Sequence, residues 1–359
     1  MRVANPGGET RYFVLFGSFA FPESEKTIGA IAIDSNGTLY RAWPERVKGG
    51  EYLGPHIGLA IAPDGTIATN AKGILNAQSW CGRPLWQAAW SKPEDGIHRD
   101  FDSLGGYDWH HDIVYHDGSF WTFQGPRIAQ VDARSGEVQS SIHAIDLIRW
   151  SWAQGLSLMD GGIGLFNANR LNEETAEELI PGDPFHFNKV DVLSEALAPL
   201  YPGLEAGDLL ISVRNLDLIA IVRPSQHRFL WWRHGLTSRA HDATFVDGAI
   251  EVFDNAPFTN PPAPRIRRLD YQRTGFEEVF DLSSLGFVTR QQGNFEHRGD
   301  ELLTVDGEAG RAILTRLDGT IEFLFENGHD DGKDVALIEL RNATEIAPDT
   351  FARLQEGCS

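Results

Sequence analysis

Short segments in which apolar and polar residues alternate recur along most of the chain, and Asp-Gly-type turns separate them. Four copies of one hairpin read GLAIAPDGTIAT from Gly58, HDIVYHDGSFWTF from His111, HDATFVDGAIEVF from His241 and QGNFEHRGDELLTV from Gln292. Alternation with a period of two around such turns is the signal of antiparallel strand pairs. The pattern therefore predicts an all-β protein that is built from a repeated hairpin.

Each hairpin continues into further strands, so the repeating unit is a sheet of four strands. Examples are RIAQVDARSGEVQSSI from Arg127 and RAILTRLDGTIEFLFE from Arg311. A stretched copy begins with HFNKVDVL at His186, passes through a short helical insertion, SEALAPLYPGL, and resumes with GDLLISVRNLDLIAIVRP. Segment 11–43 predicts one more sheet, which a C-terminal strand at about 334–342 would complete.

The sheets add up to six, and radial repetition of four-stranded sheets is the pattern of a β-propeller. We therefore predict one domain over residues 1–359, a six-bladed β-propeller whose ring is closed by the N- and C-terminal strands. Segment 150–181 fits no blade, because GLSLMDGGIGLF only imitates a hairpin and NEETAEELI predicts a short helix. We interpret it as an insertion that covers one mouth of the propeller, and a seventh blade is the alternative.

The composition excludes several classes of partner. The formal net charge is -20, from 51 acidic and 31 basic residues. Such a charge repels nucleic acid and anionic lipid, and no apolar run approaches the length of a membrane span. We expect neither nucleic acid nor a membrane as a partner, and composition does not determine the oligomeric state.

The N-terminal residues and the two cysteines bear on the cellular compartment of the protein. Residues 1–10 show no basic region followed by an apolar stretch, which predicts a cytoplasmic protein, or a periplasmic one if a leader has been removed. The two cysteines, Cys81 and Cys358, can pair only if the C-terminal tail folds back. The sequence leaves that pairing open.

Candidate chemistry comes from one position of the repeat. Aligning the turns places His111, His241 and Gln292 six residues before the turn, and Gly58 takes that position in the first copy. The innermost strand of a propeller blade starts near the central axis, so residues in this position converge although they are distant in sequence. His186 begins the innermost strand of its own blade and joins them.

Three convergent histidines allow more than one interpretation. The first interpretation is a structural cluster, and the second is an open zinc site of the tris-histidine type. The third is a binding site for an oxyanion. Arg214, in the motif ISVRN, favours the oxyanion, because a guanidinium suits an anion better than a metal cation. We therefore expect no metal.

Four motifs together resemble one enzyme family. They are WHHDI at Trp109, DPFHFN at Asp183, GDLLISVRNLDLIAIV at Gly207 and AHDATFVDGAIEVFDN at Ala240. In this combination and order they are similar to motifs of the bacterial arylsulfotransferases. The resemblance implies a six-bladed propeller and a transferase that moves a sulfuryl group from an aryl sulfate to a phenol by a ping-pong mechanism. It implies a sulfohistidine intermediate and small-molecule substrates, with no cofactor and no phosphoadenosyl donor.

The resemblance also implies roles for individual residues. His241, in AHDA, would be the nucleophile, and His186, Asn188 and Arg214 would bind the sulfuryl oxygens. The repeat favours His111 over His110 as the second histidine ligand. The predicted catalytic set is His241, His111, His186 and Arg214, and the predicted substrate-binding set is Asn188, His110, Gln292, Trp109 and Phe185. Trp150 and Trp152 are further candidates to hold an aryl ring, and a role in the core is the alternative for all these aromatic residues.

Other polar residues near the motifs have plainer interpretations. Asp112 and Asp242 each follow a key histidine, and strand alternation points them away from the pore, where they would anchor strands or orient a neighbouring ring. The remaining histidines at turns or strand ends are predicted to be solvated: His116, His227, His234, His297 and His329. Two rival functions are another reaction on phenols in the same pocket, such as alkylation, and a non-catalytic binding platform.

Overall fold

Short antiparallel strands make up most of the secondary structure that the computed structural model describes. It describes residues 1–19, 27–45, 58–71, 73–88, 109–154, 185–257, 262–272, 275–287, 289–290, 292–330 and 335–358. Two helices lie in these ranges, α1 (Ala144–Ala153) and α2 (Pro348–Glu356). Neither is long and apolar enough to cross a membrane.

The strands follow one another in short steps along the chain. They are β1 (Arg2–Ala4), β2 (Tyr12–Phe19), β3 (Thr27–Asp34), β4 (Leu39–Pro44), β5 (Leu59–Ile61), β6 (Thr66–Ala71), β7 (Ile74–Ser79), β8 (Pro84–Gln87), β9 (Trp109–His116), β10 (Ser119–Gln124), β11 (Arg127–Asp132), β12 (Val138–His143), β13 (Phe187–Val192), β14 (Leu209–Val213), β15 (Leu218–Arg223), β16 (Arg228–His234), β17 (Ala243–Val246), β18 (Ala249–Asp254), β19 (Arg265–Leu269), β20 (Phe276–Asp281), β21 (Asn294–Arg298), β22 (Glu301–Asp306), β23 (Arg311–Arg316), β24 (Ile321–Glu326), β25 (Gly328–Asp330), β26 (Val335–Leu337) and β27 (Leu340–Ile346).

These strands form six blades, as the repeat predicts. Blade 1 contains β27, β2, β3 and β4 in spatial order, and blades 2 to 5 are the consecutive sets β5–β8, β9–β12, β13–β16 and β17–β20. Blade 6 contains β21–β24, and β1 pairs with β24 as a fifth, outer strand. The fold is therefore a six-bladed β-propeller.

The C-terminal strand of blade 1 lies further along the chain than the alternation predicts. Strand β27 pairs with β2 from Tyr12 opposite Ile346 to Gly17 opposite Leu340. Residues 335–337, inside the predicted segment 334–342, pair instead with β25. The apolar alternation of DVALIEL exceeds that of LRNATEI, so the sequence favoured the earlier segment.

Hydrophobic clusters between neighbouring blades hold the propeller together. Each of six clusters joins residues of two consecutive blades, and the last of them joins blade 6 to blade 1. In that last cluster Phe13 stacks on Phe323 with 4.1 Å between ring centroids. Burying one such ring stabilises the fold by about 1.5–3 kcal/mol, so blades that are marginal alone are stable side by side.

Helix α2 and a disulfide cover the contact between blades 1 and 2. Phe351 of α2 stacks on Tyr12 of blade 1 at 4.0 Å, and its ring meets Trp80 of blade 2 edge-on. Cys81 and Cys358 form a disulfide. The C-terminal tail thus folds back, the condition that the sequence leaves open.

Two predicted insertions have different outcomes. SEALAPLYPGL contains a short 3-10 turn, Ala198–Leu200, between β13 and β14, in agreement with the predicted helical insertion. The last residues of helix α1 are the first residues of the predicted insertion 150–181. Residues 155–181 of that insertion lie outside the described residues.

His297 is not the solvated histidine that the sequence predicts. Its side chain is 4% exposed, and its Nδ1 lies 2.7 Å from Oε2 of Glu251, which belongs to the neighbouring blade. Its Nε2 lies 3.0 Å from the carbonyl oxygen of Gly299. The hydrogen bond to Glu251 raises the pKa of His297, against the opposing effect of burial. The prediction was wrong because local alternation carries no information about a partner on another blade.

This ion pair makes the stability of the propeller dependent on pH. A raised pKa means that the contribution of His297 is fully present below its unfolded pKa of about 6.5 and is lost as pH rises through the folded value. We expect His297→Gln to lower the free energy of unfolding by about 1–3 kcal/mol at pH 6 and by less at pH 9. Urea denaturation at both pH values measures this, and a loss that grows toward pH 9 would contradict it.

Candidate active site

The starts of several innermost strands surround a cavity of about 660 Å³, which includes the solvent at its mouth. Blades 1, 3, 4, 5 and 6 contribute its lining. The lining residues are His111, Asp112, His186, Asn188, Lys189, Arg214, His241, Asp242, Gln292, Gly293, Asn294, Arg341 and Asn342. All four residues predicted to be catalytic therefore line the same cavity. Asn188 and Gln292, which are predicted to bind substrate, line it too.

His111 and His186 line the cavity from segments of irregular backbone. His111 and His186 have φ angles of 58° and 51°, in the left-handed region that side-chain-bearing residues rarely adopt. The pairing of β9 with β10 shifts register beside His111, and that of β13 with β14 shifts just after His186. Bulges of this kind bend a strand and redirect its side chains, and such strain is typical of functional sites.

Two hydrogen bonds determine which tautomer the neutral ring of His241 adopts. Its Nδ1 lies 2.7 Å from Oδ1 of Asn255 and 3.0 Å from the carbonyl oxygen of Arg239. Nδ2 of Asn255 donates to the carbonyl oxygen of Gln292 at 3.0 Å, which sets the orientation of that amide. Both neighbours of Nδ1 are thus acceptors, so Nδ1 carries the proton of the neutral ring. Nε2 is left with its lone pair.

The electrostatic surroundings keep this ring neutral. Desolvation, followed by the positive charge of Arg214, lowers the pKa of His241 to about 3, although the hydrogen bond to Asn255 acts in the opposite direction. A neutral imidazole with an unprotonated Nε2 is a nucleophile near pH 7. His241 therefore has the tautomer and the charge that nucleophilic attack requires.

The other histidines form a hydrogen-bonded chain that ends on a backbone carbonyl. Nε2 of His186 lies 3.0 Å from Nε2 of His111, and Nδ1 of His111 contacts Nδ1 of His110. Nε2 of His110 lies 2.8 Å from the carbonyl oxygen of Gly125. His110 thus supports His111 from behind and does not itself line the cavity.

The terminal carbonyl orients the whole chain. Because the oxygen of Gly125 can only accept, Nε2 of His110 donates to it, and Nδ1 of a neutral His110 accepts from His111. Nε2 of a neutral His111 then accepts from Nε2 of His186. In this state Nδ1 of His186 carries the lone pair, so the chain can take up one proton there and pass it between rings.

A guanidinium and an amide complete this side of the cavity. Arg214 follows β14 at the start of a 3-10 turn, and its backbone N–H donates to the carbonyl oxygen of His186 at 3.0 Å. Nδ2 of Asn188 donates to the carbonyl oxygen of Ala240 at 3.0 Å, which ties blade 4 to the residue before His241. The Arg214 side chain supplies a permanent positive charge beside His241.

A family model for the arylsulfotransferases (ASST) matches residues 58–328, about three quarters of the chain. The matched range includes every histidine and the Arg214 guanidinium of the cavity. The chain belongs to the arylsulfotransferase family. No curated protein matches its sequence.

Solved structures resemble this arylsulfotransferase-family protein at low sequence identity. A protein of unknown function from Bacteroides caccae is 13% identical, with 94% of this chain and 99% of that chain covered and a TM-score of 0.54. A streptogramin B lyase structure is 11% identical, with 94% and 98% covered and a TM-score of 0.49. The first likeness shows a shared fold.

Beside the histidines, the arylsulfotransferase cavity contains an ionic cluster of Lys189, Asp112 and Asp242. Nζ of Lys189 lies 2.6 Å from Oδ2 of Asp112 and 3.2 Å from Oδ1 of Asp242. Asp242 also accepts from Nδ2 of Asn294 at 2.9 Å. The expectation that both aspartates point away from the pore was wrong, since both line the cavity. For Asp112 the physical reason is that the bulge in β9 breaks the alternation on which the expectation rested.

Charge pairing governs this cluster. Desolvation raises the pKa of Asp112 to about 6, an effect that Lys189 opposes and Asp242 strengthens. Burial acts to lower the pKa of Lys189, but the three aspartates 112, 242 and 191 outweigh it and the pKa is raised. Lys189 therefore stays charged and joins blades 3, 4 and 5. A second cavity, of about 1170 Å³ with the solvent at its mouth included, shares Asp112, Lys189, Asn294 and Asn342 with the first, so these residues lie between the two.

Three of the predicted aromatic residues, Trp109, Phe185 and Trp150, do not line the cavity. Trp109 packs in the core between blades 2 and 3, and Phe185 packs in the core between blades 3 and 4. Trp150 stacks on His227 at 5.0 Å, and the side chain of Trp152 lies outside the described residues.

Gln292 lines the cavity from a different repeat position than the sequence predicts. Arg298 pairs with Glu301, so the turn of blade 6 is formed by Gly299 and Asp300, one residue later than in the alignment. The position that His241 occupies in blade 5 is taken by Gly293 in blade 6.

Sequence reasoning missed several residues of the site, and Asn255, Lys189 and Arg341 are the ones to which the geometry gives a role. Asn255 ends the motif that begins with Ala240, and hairpin pairing brings the two ends of that motif together. Lys189 is a charged residue within a buried strand, a signal that was available. Arg341 lies within the predicted strand 334–342, but nothing in the local pattern marks it as a residue that faces the axis. Within the described ranges, no three His, Cys, Asp or Glu side chains are grouped to hold a metal ion.

Proposed function

We propose that this arylsulfotransferase-family protein transfers a sulfuryl group from an aryl sulfate to a phenol through a sulfohistidine at His241. The observation that carries the proposal is the state of that ring: Nδ1 donates to Asn255, and Nε2 has its lone pair in a cavity that also contains Arg214. Such a site needs no nucleotide donor and no cofactor.

In the first half of the cycle, Nε2 of His241 attacks sulfur and forms the N–S bond. The bond between sulfur and the aryl oxygen breaks, and the electron pair leaves on the phenolate. Sulfuryl transfer should resemble phosphoryl transfer, in which catalysis rests on positioning and on stabilising charge at the equatorial oxygens. Arg214 and the second N–H of the Asn188 amide, which is not the one that donates to Ala240, are suitable donors to those oxygens. The departing phenolate takes one extra proton, which the chain of His186, His111 and His110 must hold before sulfur is attacked.

In the second half, the phenol oxygen attacks the sulfohistidine and the N–S bond breaks. The phenolic proton enters the chain of His186, His111 and His110, which then holds one extra proton for the next phenolate. Nδ1 of His241 keeps its proton throughout, so the intermediate is a sulfoimidazolium, whose ring is a good leaving group. The cycle returns every proton and leaves His241 neutral.

We also propose an oxidising compartment for the protein. Disulfides persist in the periplasm and outside cells and are rare in the cytosol. The bond between Cys81 and Cys358 therefore favours the periplasmic alternative over the cytoplasmic one. Alkylation of free thiols before and after reduction, in periplasmic and cytosolic fractions, tests this.

The function is tested with a chromogenic aryl sulfate. Incubation of the protein with 4-nitrophenyl sulfate and phenol is expected to release nitrophenolate and to form phenyl sulfate. Without phenol, one equivalent is released, and the intact mass of the protein rises by one SO₃ group that maps to His241. A wild-type protein that releases nothing from a panel of aryl sulfates would refute the proposal. In a parallel incubation of the phenol with an added alkyl donor, carbon alkylation without a sulfated protein would favour the alternative chemistry. Binding without turnover in either incubation would favour a binding platform.

A further inference from the structure

Arg341 adds a second guanidinium to the cavity from the side of blade 1. It lies on β27, the innermost strand of that blade, and is C-terminal to the residues that the family model matches. Arg214, in contrast, belongs to blade 4. Nothing in the transfer of a single sulfuryl group assigns a role to this second cation.

The guanidinium of Arg341 is buried and only partly satisfied. Its side chain is 5% exposed, and one nitrogen, Nη2, lies 2.7 Å from Oε2 of Glu339. Nε and Nη1 are also buried, and they have no hydrogen-bond partner within the part of the chain that the structure describes. A buried charged group with unmet donors costs free energy, and an anion bound beside it offsets that cost.

The other cations of the cavity are already engaged. Lys189 lies between two carboxylates. Arg214 lines the cavity together with His241, where the sulfuryl group would be transferred, and acts on the charge of that ring. On the side of Arg341, the uncharged side chains of Gln292 and Asn342 line the wall. In a protein with a net charge of -20, a partly paired guanidinium inside a cavity is a local exception that suits an anion.

We propose that Arg341 forms a second anion subsite, which binds a carboxylate carried on the ring of the phenolic acceptor. This inference rests on the proposed sulfuryl transfer. A planar carboxylate matches the guanidinium fork, and its oxygens accept from donors that are otherwise unmet. The preferred acceptors are then phenols that carry a carboxylate, held with the hydroxyl toward His241 and the carboxylate toward blade 1.

The test uses matched pairs of acceptors that differ only in charge. The 2-, 3- and 4-hydroxybenzoates are compared with the corresponding hydroxybenzamides, with 4-nitrophenyl sulfate as donor. In the wild type, kcat/KM for at least one carboxylate is expected to exceed that of its amide by about tenfold. Arg341→Gln should bring this ratio close to one, and Arg341→Lys should retain part of it as a point charge. The control Arg134→Gln, which changes an exposed arginine in a turn of blade 3, should leave the ratio as in the wild type.

Binding measured without a donor separates this inference from the proposed function. Calorimetric titration of the hydroxybenzoates into wild type and Arg341→Gln is expected to show affinity that depends on Arg341. If that dependence is present but no aryl sulfate reacts, the proposed function fails and the subsite stands. A wild-type ratio near one for every isomer, or a ratio that survives Arg341→Gln, overturns the subsite.

Discussion

Replacement of His241 by alanine is expected to lower sulfuryl transfer by at least about 10³-fold, because removing a catalytic nucleophile typically has effects of that size or larger. The physical reason is that Nε2 of His241 is the atom that bonds to sulfur, and no other described imidazole of the cavity has Nδ1 held between two acceptors. Steady-state release of nitrophenolate measures the loss. The mass increase of one SO₃ group should also disappear from the protein.

A second histidine and the pH profile provide controls for this result. His234 is exposed and bonds to the carbonyl oxygen of Leu216, so His234→Ala should leave the rate unchanged. Because the pKa of His241 is lowered to about 3, the ring stays neutral at every pH above that value. Formation of the sulfated protein should therefore not decline between pH 7 and pH 5. A tenfold fall per pH unit below about 6.5 would show an ordinary histidine and contradict the assignment.

Replacement of Lys189 by methionine is expected to lower the free energy of unfolding by about 3–5 kcal/mol. Lys189 is the cation between Asp112 and Asp242, and methionine leaves two buried carboxylates close together with no counter-charge. Chemical denaturation near neutral pH measures the loss. At lower pH the loss should shrink, since protonation of Asp112 removes the repulsion.

Replacing the two aspartates by neutral asparagines tests whether charge causes the loss of stability in Lys189→Met. The triple variant Lys189→Met, Asp112→Asn, Asp242→Asn removes the ionic cluster as a whole and should recover much of the stability that Lys189→Met loses. A triple variant less stable than Lys189→Met alone would mean that packing, and not charge, accounts for the loss. The three side chains would then stabilise the propeller through packing, as residues of a hydrophobic core do.

The fold could be predicted because its determinants are local. Alternation and Asp-Gly turns specify each hairpin, and their number gives six blades. The convergence of His111, His186 and His241 also followed, since residues at the start of innermost strands share the axis. Blade 6 shows the limit of this alignment, where a turn one residue later moves Gln292 out of the shared position.

The remaining parts of the site depend on contacts that local patterns do not contain. Asp112 lines the cavity because a bulge resets the alternation of β9. The role of Asn255 depends on the orientation of its amide, which the carbonyl oxygen of Gln292 on another blade sets. Arg341 reaches the cavity because β27 crosses back to the first blade, a pairing between opposite ends of the chain.

The pairing of β27 with β2 also governs the order of assembly. In chain order β27 follows the other strands of all six blades, so during synthesis blade 1 waits with the edge of β2 unpaired. Pairings between residues so distant in sequence are slow to form, and an open strand edge invites association with other chains in the meantime. Because β27 also brings Arg341 and Asn342 to the cavity wall, the step that protects this edge is the same step that completes the binding chamber.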